Sequence, residues 1–215
     1  MIIAIDGPSA SGKGTLARRL ASHLGFAYLD TGSLYRAVAL EVLEADADPR
    51  DAGAAALAAR NLDFRTLDDP RLRAEKIGEA ASLVAAIPKV RSELLAFQRN
   101  FAKTPPGGLK GAIIDGRDIG TVVCPDADLK IFITASPAVR VKRRILELEE
   151  RGLPADPEAI LSSVRLRDTR DEARKISPLR PAQDAHLLDT TNLDIDSAFK
   201  KACMILEAAG LFGKI

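Results

Sequence analysis

The stretch Gly7-Pro8-Ser9-Ala10-Ser11-Gly12-Lys13 matches the pattern G-x-x-x-x-G-K, which suits the holding of a chain of phosphates. Its glycines let consecutive backbone N–H groups turn inward around an anion, and a helix opening behind them adds the positive end of its dipole. Lys13 is a compact charge on a flexible stem that can follow the β- and γ-phosphates. A glycine-rich turn with a surface lysine would look similar, but it would need neither an apolar strand before it nor a helix after it. One position departs from the general pattern: Gly14 follows Lys13 where Ser or Thr is usual, and Thr15 comes next. No metal ligand is assigned directly, and Thr15 is the candidate, in contact with the ion or through a water.

A second constellation is rich in arginine. Arg36 lies one helical turn beyond Asp30-Thr31-Gly32-Ser33, and Asp115-Gly116-Arg117-Asp118 closes another apolar run. Arg165, Arg167, Arg170 and Arg174 follow in a charged segment, where Arg167, Asp171 and Arg174 fall at i, i+4, i+7 and share one helix face. A charged helix of this kind is usually a solvated one knitted by i,i+4 pairs. Beside a phosphate loop, and after the break Gly152-Leu153-Pro154, the same arginines suit a lid that brings guanidinium groups over phosphates in transit. The usual guanine reader of GTP switches, Asn-Lys-x-Asp, does not occur. His23, late in the first helix, and His186, opening a core strand, show no partner in the sequence, and nothing near Cys124 activates its thiol.

Short elements must position these groups. Ile2 to Ile5, Phe26 to Leu29, Ala112 to Ile114, Leu129 to Ile133 and His186 to Leu188 read as strands. Helices are expected behind the phosphate loop as far as a Gly25 cap, from about Ser33 to Glu44, after Pro137, from about Pro157 to Lys175, and from about Ile195. Between Arg50 and Phe101 only helices and loops are expected; Pro88 opens one helix, with Val90, Leu94, Leu95 and Phe101 on one side. Strands alternating with helices give an α/β domain with a mostly parallel sheet, whose ligands sit at the carboxyl ends of the strands.

The 215 residues suit one domain. With 31 Lys+Arg against 30 Asp+Glu, the chain lacks the basic face of a sequence-independent nucleic-acid coat. An aromatic content of 4% without tryptophan argues against stacking platforms for single strands. No apolar run approaches the roughly 20 residues that span a bilayer, and the start of the chain turns polar at Asp6, unlike a signal peptide. Two cysteines without a C-x-x-C pair fit a reduced, cytoplasmic protein with no zinc site.

Over most of its length the sequence resembles bacterial cytidylate kinase. The resemblance is carried by Ile5 to Thr15, Leu29 to Arg36, Ala80 to Ala85, Pro88 to Arg91, Asp115 to Val123, Arg167 to Arg174 and Leu188 to Thr191, with Asp115 to Val123 the most specific string. It implies a P-loop NTPase-type five-stranded sheet flanked by helices, with core segments 1–44, 102–150 and 182–215. A short monophosphate-binding insert would fall at about 45–101 and a small helical lid at about 151–181. Many relatives carry a longer insert with a small sheet, whereas here residues 61–79 read as loop and helix. The resemblance further implies that Arg36, Arg117 and Arg174 hold the phosphate of CMP, with Thr31 near it. Ser82, Arg91 and Asp118 would read the cytosine edge, Arg167 and Asp171 would meet the ribose hydroxyls, and Arg170 would reach the ATP side. Arg117, next to Asp118 in the chain, is the alternative partner for that carboxylate.

The leading reading is therefore a cytoplasmic, monomeric CMP kinase that uses ATP and Mg²⁺ and takes dCMP as well. The rivals are a small P-loop kinase for AMP or a non-nucleotide alcohol, and a nucleotide-binding regulator that hydrolyses slowly. A regulator needs no second phosphate pocket, so the arginine set separates the two classes.

Overall fold

The computed structural model describes residues 1–211. Five strands, β1 (Ile2–Asp6), β2 (Ala27–Asp30), β3 (Ala112–Gly116), β4 (Leu129–Thr134) and β5 (His186–Asp189), form one sheet in the order β2-β3-β1-β4-β5. Every neighbouring pair is parallel, so the sheet expected to be mostly parallel is wholly so. The helices are α1 (Lys13–Leu24), α2 (Thr31–Glu44), α3 (Ala52–Arg60), α4 (Glu75–Val84), α5 (Pro88–Lys103), α6 (Pro137–Glu150), α7 (Pro157–Glu172) and α8 (Ile195–Ala208).

The pleat sorts the strand residues into two layers. Ile3, Ile5, Ile113, Ile131 and Ile133 pack under Leu16, Leu20 and Leu206 of α1 and α8, while Ala4, Leu29 and Ile114 face Ile119 and Ala102 on the other side. A separate apolar cluster joins α2, α3, α4 and α5 through Val38, Ala55, Ile77, Val84, Val90 and Leu94. Leu148, Ile160 and Val164 form the small cluster between α6 and α7. At roughly 1.5–3 kcal/mol per buried aliphatic side chain, that last cluster holds α7 weakly compared with the sheet.

Several boundaries differ from the sequence expectation. Helix α2 begins at Thr31, not Ser33, because the Asp30 carboxylate caps it, accepting from the Gly32 N–H at 2.8 Å. Helix α7 ends at Glu172, so Arg174 lies beyond the helix and reaches Asp171 as the chain turns away. Helix α5 buries two faces rather than one: Val90 and Leu94 face the cluster of α2 to α4, while Leu95 and Phe101 pack on the sheet side. His186 does not open a core strand; β5 is an edge strand with only Leu188 buried. His23 lies edge-on to Phe199 at 5.4 Å, and burial pushes the Cys124 thiol up to about 11, as expected for an inert cysteine. Residues 61–79 contain two short 3₁₀ segments and the start of α4, the expected loop and helix.

Candidate active site

The loop after β1 is shaped for an anion by its backbone. Gly7 has φ 156° and passes so close to β4 that a Cβ would sit 2.1 Å from the Ile133 carbonyl oxygen, so no other residue fits. Ala10 and Gly12 also take positive φ, which turns successive N–H groups toward one point. Helix α1 starts without a side-chain cap, leaving its first N–H groups for a ligand. The outward carbonyls of the loop are held from behind. Arg143 Nη1 and the Thr190 hydroxyl both donate to Ser11 O at 3.0 Å, and Arg140 Nη1 reaches Ser9 O at 3.4 Å. Arg140 is buried and also grips Asp168 of α7 at 2.6 Å, tying the loop to that helix.

Lys13 stands between Asp30 and Asp115. Burial pulls its ammonium below the usual lysine range, with Arg117 acting the same way and Asp115 and Asp30 opposing. Burial raises the Asp115 carboxyl against the pull of Lys13, and the Tyr28 hydroxyl donates to its Oδ2 at 3.0 Å. A Cβ on Gly14 would lie 3.2 Å from that same Oδ2. A side chain after Lys13 would thus crowd the Asp115 carboxylate, which would have to give by a few tenths of an ångström. Thr15 is exposed on the first turn of α1.

Several arginines line the same cleft as Lys13. This cleft has a volume of roughly 610 Å³, and Lys13, Arg36, Ser82, Arg117, Arg167 and Arg170 line it. Asp171 is buried; Arg117 Nε donates to its Oδ2 at 2.8 Å and Arg174 Nη2 to its Oδ1. Burial alone would raise its carboxyl, but the Arg117 and Arg174 guanidiniums hold it below the usual range. Asp118 pairs with Arg91 at 2.5 Å, not with its neighbour Arg117. Arg91 Nη1 also donates to Ala85 O, and its guanidinium lies 5.3 Å from the Tyr35 ring centre.

Three expected roles meet other contacts. Arg170, expected on the ATP side, donates to the Ser82 hydroxyl at 2.8 Å. The Thr31 hydroxyl donates to Asp115 O at 2.8 Å, which makes it a tie between β3 and α2. Arg36 Nη1 donates to Leu72 O at 2.9 Å and has no ion pair among the described residues. Arg167 likewise has no carboxylate within ion-pair distance, and burial with Arg117 beside it pulls it down to about 9. The Nε atoms of Arg91, Arg167 and Arg174 are buried without hydrogen-bond partners. Arg91 and Arg174 are nevertheless paired through their terminal nitrogens, to Asp118 and Asp171.

Arg140, Arg143, Asp115 as partner of Lys13, and Asp6 were not singled out from the sequence. Arg140 and Arg143 lie in Val139-Arg140-Val141-Lys142-Arg143-Arg144, which reads as a solvated helix face, and only tertiary burial sets them apart.

Known proteins resemble this chain along nearly its whole length. The Cytidylate kinase family model matches residues 3–208. Curated cytidylate kinases of two Rhodopseudomonas palustris strains are 57% and 55% identical over 208 residues, covering 97% of this chain and 96% and 97% of theirs. One from a Bradyrhizobium species is 55% identical with the same 97% of this chain covered and 96% of its own. Among solved structures, an uncharacterized protein of Eubacterium ventriosum aligns with TM-score 0.54 at 19% identity, over 97% of this chain and 98% of that one. A sugar kinase from a Janibacter species aligns with TM-score 0.50 at 14% identity, over 98% and 96%. At such identities these structures speak for the fold alone. The sequence relatives speak for more, since they run nearly end to end at more than half identity: the chain belongs to the cytidylate kinase family.

Proposed function

We propose that the protein transfers the γ-phosphoryl group of ATP to CMP, and to dCMP, giving ADP and the nucleoside diphosphate. The observation that carries this reading is one cleft lined both by the phosphate loop and by a second set of cationic groups. The phosphate loop and Lys13 form one group, and Arg36 and Arg117 the other, with Arg174 held behind Arg117 by the shared Asp171 carboxylate. A regulator that only holds a nucleotide has no use for the second set.

The acceptor is an oxyanion at neutral pH, so no general base is needed. The residues must bring two anionic groups into line and neutralise the charge that spreads over the moving phosphoryl. Lys13 serves the donor, and Arg36, Arg117 and Arg174 the acceptor phosphate, in a cleft where such charges act more strongly than in bulk water. Asp171 keeps Arg117 and Arg174 in place, and it and Arg167 stand where ribose hydroxyls would bind. Arg170 leaves Ser82 when the base arrives and turns toward the phosphates. Segments 45–101 and 151–181 move over the acceptor and the phosphates respectively, excluding the water that would otherwise take the phosphoryl group.

The cofactor in this reading is Mg²⁺. Asp115, Asp30 and Thr15 offer the oxygen donors that a hard cation takes, and the described residues contain no cluster of three or more ligand-type side chains. That suits an ion held by one or two carboxylates, waters and the substrate phosphates. When bound, it would neutralise charge on the β- and γ-oxygens. Both ends of the cleft come from one chain, which supports a monomer as the working unit. No helix among the described residues is long and apolar enough to cross a membrane. Free cysteines and freely diffusing nucleotide substrates favour the cytoplasm.

Base choice is polar. Cytosine offers an amino donor where uracil offers a carbonyl acceptor, so Asp118 and Ser82 accept from the former while Arg91 donates to the ring. Against uracil the accepting oxygens face another acceptor, a mismatch of about 1–3 kcal/mol for each unpaired group. Asp118→Ala should therefore narrow the ratio of kcat/KM for CMP over UMP by about tenfold or more and leave the KM for ATP nearly unchanged. An unchanged ratio in a folded variant would remove Asp118 from base reading.

A further inference from the structure

Asp6 ends β1 and immediately precedes Gly7, yet its carboxylate is bound by backbone from another part of the chain. Oδ1 accepts from the Ile119 N–H and Oδ2 from the Gly120 N–H, each at 2.8 Å. These two N–H groups open the π-helical turn Ile119–Val123, which begins directly after Asp118. Single π-helical turns are rare and concentrate at functional sites. The far end of the turn is held by α5: Arg99 Nε donates to Val123 O and Nη2 to Val122 O, both at 3.0 Å. The same helix supplies Arg91, the partner of Asp118. Gly120 leaves little room for movement, since a Cβ there would meet the Lys130 stem at 3.1 Å and Asp6 Oδ2 at 3.5 Å.

Keeping a carboxylate here is costly. Asp6 is buried, has no ion pair among the described residues, and burial pushes its carboxyl up to about 7, with the Asp118 charge adding to the effect. An asparagine would avoid the charge and still accept from one N–H. It could not accept from both, because one of its two polar atoms is a donor. Only a carboxylate gives two-point acceptance in this space.

We propose that Asp6 is a positioning residue for nucleobase choice: by gripping the Ile119 and Gly120 N–H groups it fixes the backbone that carries Asp118 and aims that side chain at the acceptor base. This inference rests on the reading of Asp118 as a base reader. It places the determinant of acceptor choice partly in β1, one residue from the loop that binds the donor.

The test is kinetic. In Asp6→Asn the amide NH₂ opposes one backbone N–H, so the turn shifts. The kcat/KM for CMP should fall by about tenfold, the scale of one lost charge-assisted hydrogen bond. The CMP-to-UMP ratio should narrow, and the KM for ATP should stay within about twofold. Asp6→Glu, which keeps both acceptor oxygens on a longer arm, is the second variant and should narrow the ratio to a lesser degree. A folded variant with an unchanged ratio, or with a raised KM for ATP and normal CMP kinetics, would overturn the proposal. If neither variant folds, amide exchange in the parent decides: the Ile119 and Gly120 N–H groups should gain protection with CMP and not with ATP, and the opposite pattern would overturn it. Asp118→Ala separates the two readings. If that variant loses discrimination and the Asp6 variants keep it, the role of Asp6 fails alone; if Asp118→Ala keeps it, the base-reader assignment itself fails.

Discussion

Replacing Arg167 by methionine should make the empty enzyme more stable while nearly abolishing its use of CMP. The guanidinium sits between Arg117, Arg36 and Arg174, with the Asp171 carboxylate already taken by Arg117 and Arg174. A fall from the ordinary guanidinium range to about 9 corresponds to about 5 kcal/mol of lost hydration and repulsion, at about 1.36 kcal/mol for each tenfold change in proton affinity. Arg167 is only half-buried, so solvent screening reduces that figure to about 1–3 kcal/mol. The sign follows from the direction of the shift. A cation whose folded proton affinity is lowered carries its full cost at every pH below the folded value, so at pH 7 to 8 the whole cost is present. Methionine keeps an apolar stem of similar reach and removes the charge. Urea unfolding at pH 7.5 should give a free energy higher by about 1–2 kcal/mol, and kcat/KM for CMP should drop by about a hundredfold. Saturating CMP, which raises the melting temperature of the parent, should raise that of the variant far less. A variant less stable than the parent, or one that binds CMP normally, would refute the argument that Arg167 is kept at a cost in stability for the sake of CMP.

Lys13→Ala should fold normally and lose about two to three orders of magnitude in kcat, measured as ADP release under saturating substrates. The Lys13 and Asp115 pair should give kcat/KM for ATP a bell-shaped pH profile with limbs near about 6 and about 8, because the carboxyl is raised and the ammonium lowered. Activity rises as Asp115 ionises and falls as Lys13 loses its charge; Asp115→Asn should remove the acid limb and weaken the dependence on divalent metal.

Much of this was legible in the sequence where local pattern and function coincide. The phosphate loop is such a place, because glycine, lysine and the flanking strand and helix are all specified within 24 residues. All five strands were visible as short apolar runs; for the central strands β1, β3 and β4 this is because a buried parallel strand needs both faces apolar. Pairing between distant side chains was not visible. Nothing local says that Asp118 turns to Arg91 rather than Arg117, or that Asp171 binds two arginines from different elements. Arg140 and Asp6 were hidden for a related reason: each grips groups more than a hundred residues away, and the sequence shows one only as a charge in a run of charges and the other as a strand end.

The central claim is that the second anion site accepts a cytidine monophosphate. It is tested by ADP release from ATP with a divalent metal, with CMP, dCMP, UMP, AMP and no acceptor compared in the same preparation. CMP should give the largest kcat/KM, above UMP and AMP by about a hundredfold or more, with dCMP close behind and almost no release without acceptor. A larger value for AMP or UMP, or ADP release that does not depend on the acceptor, would contradict the account.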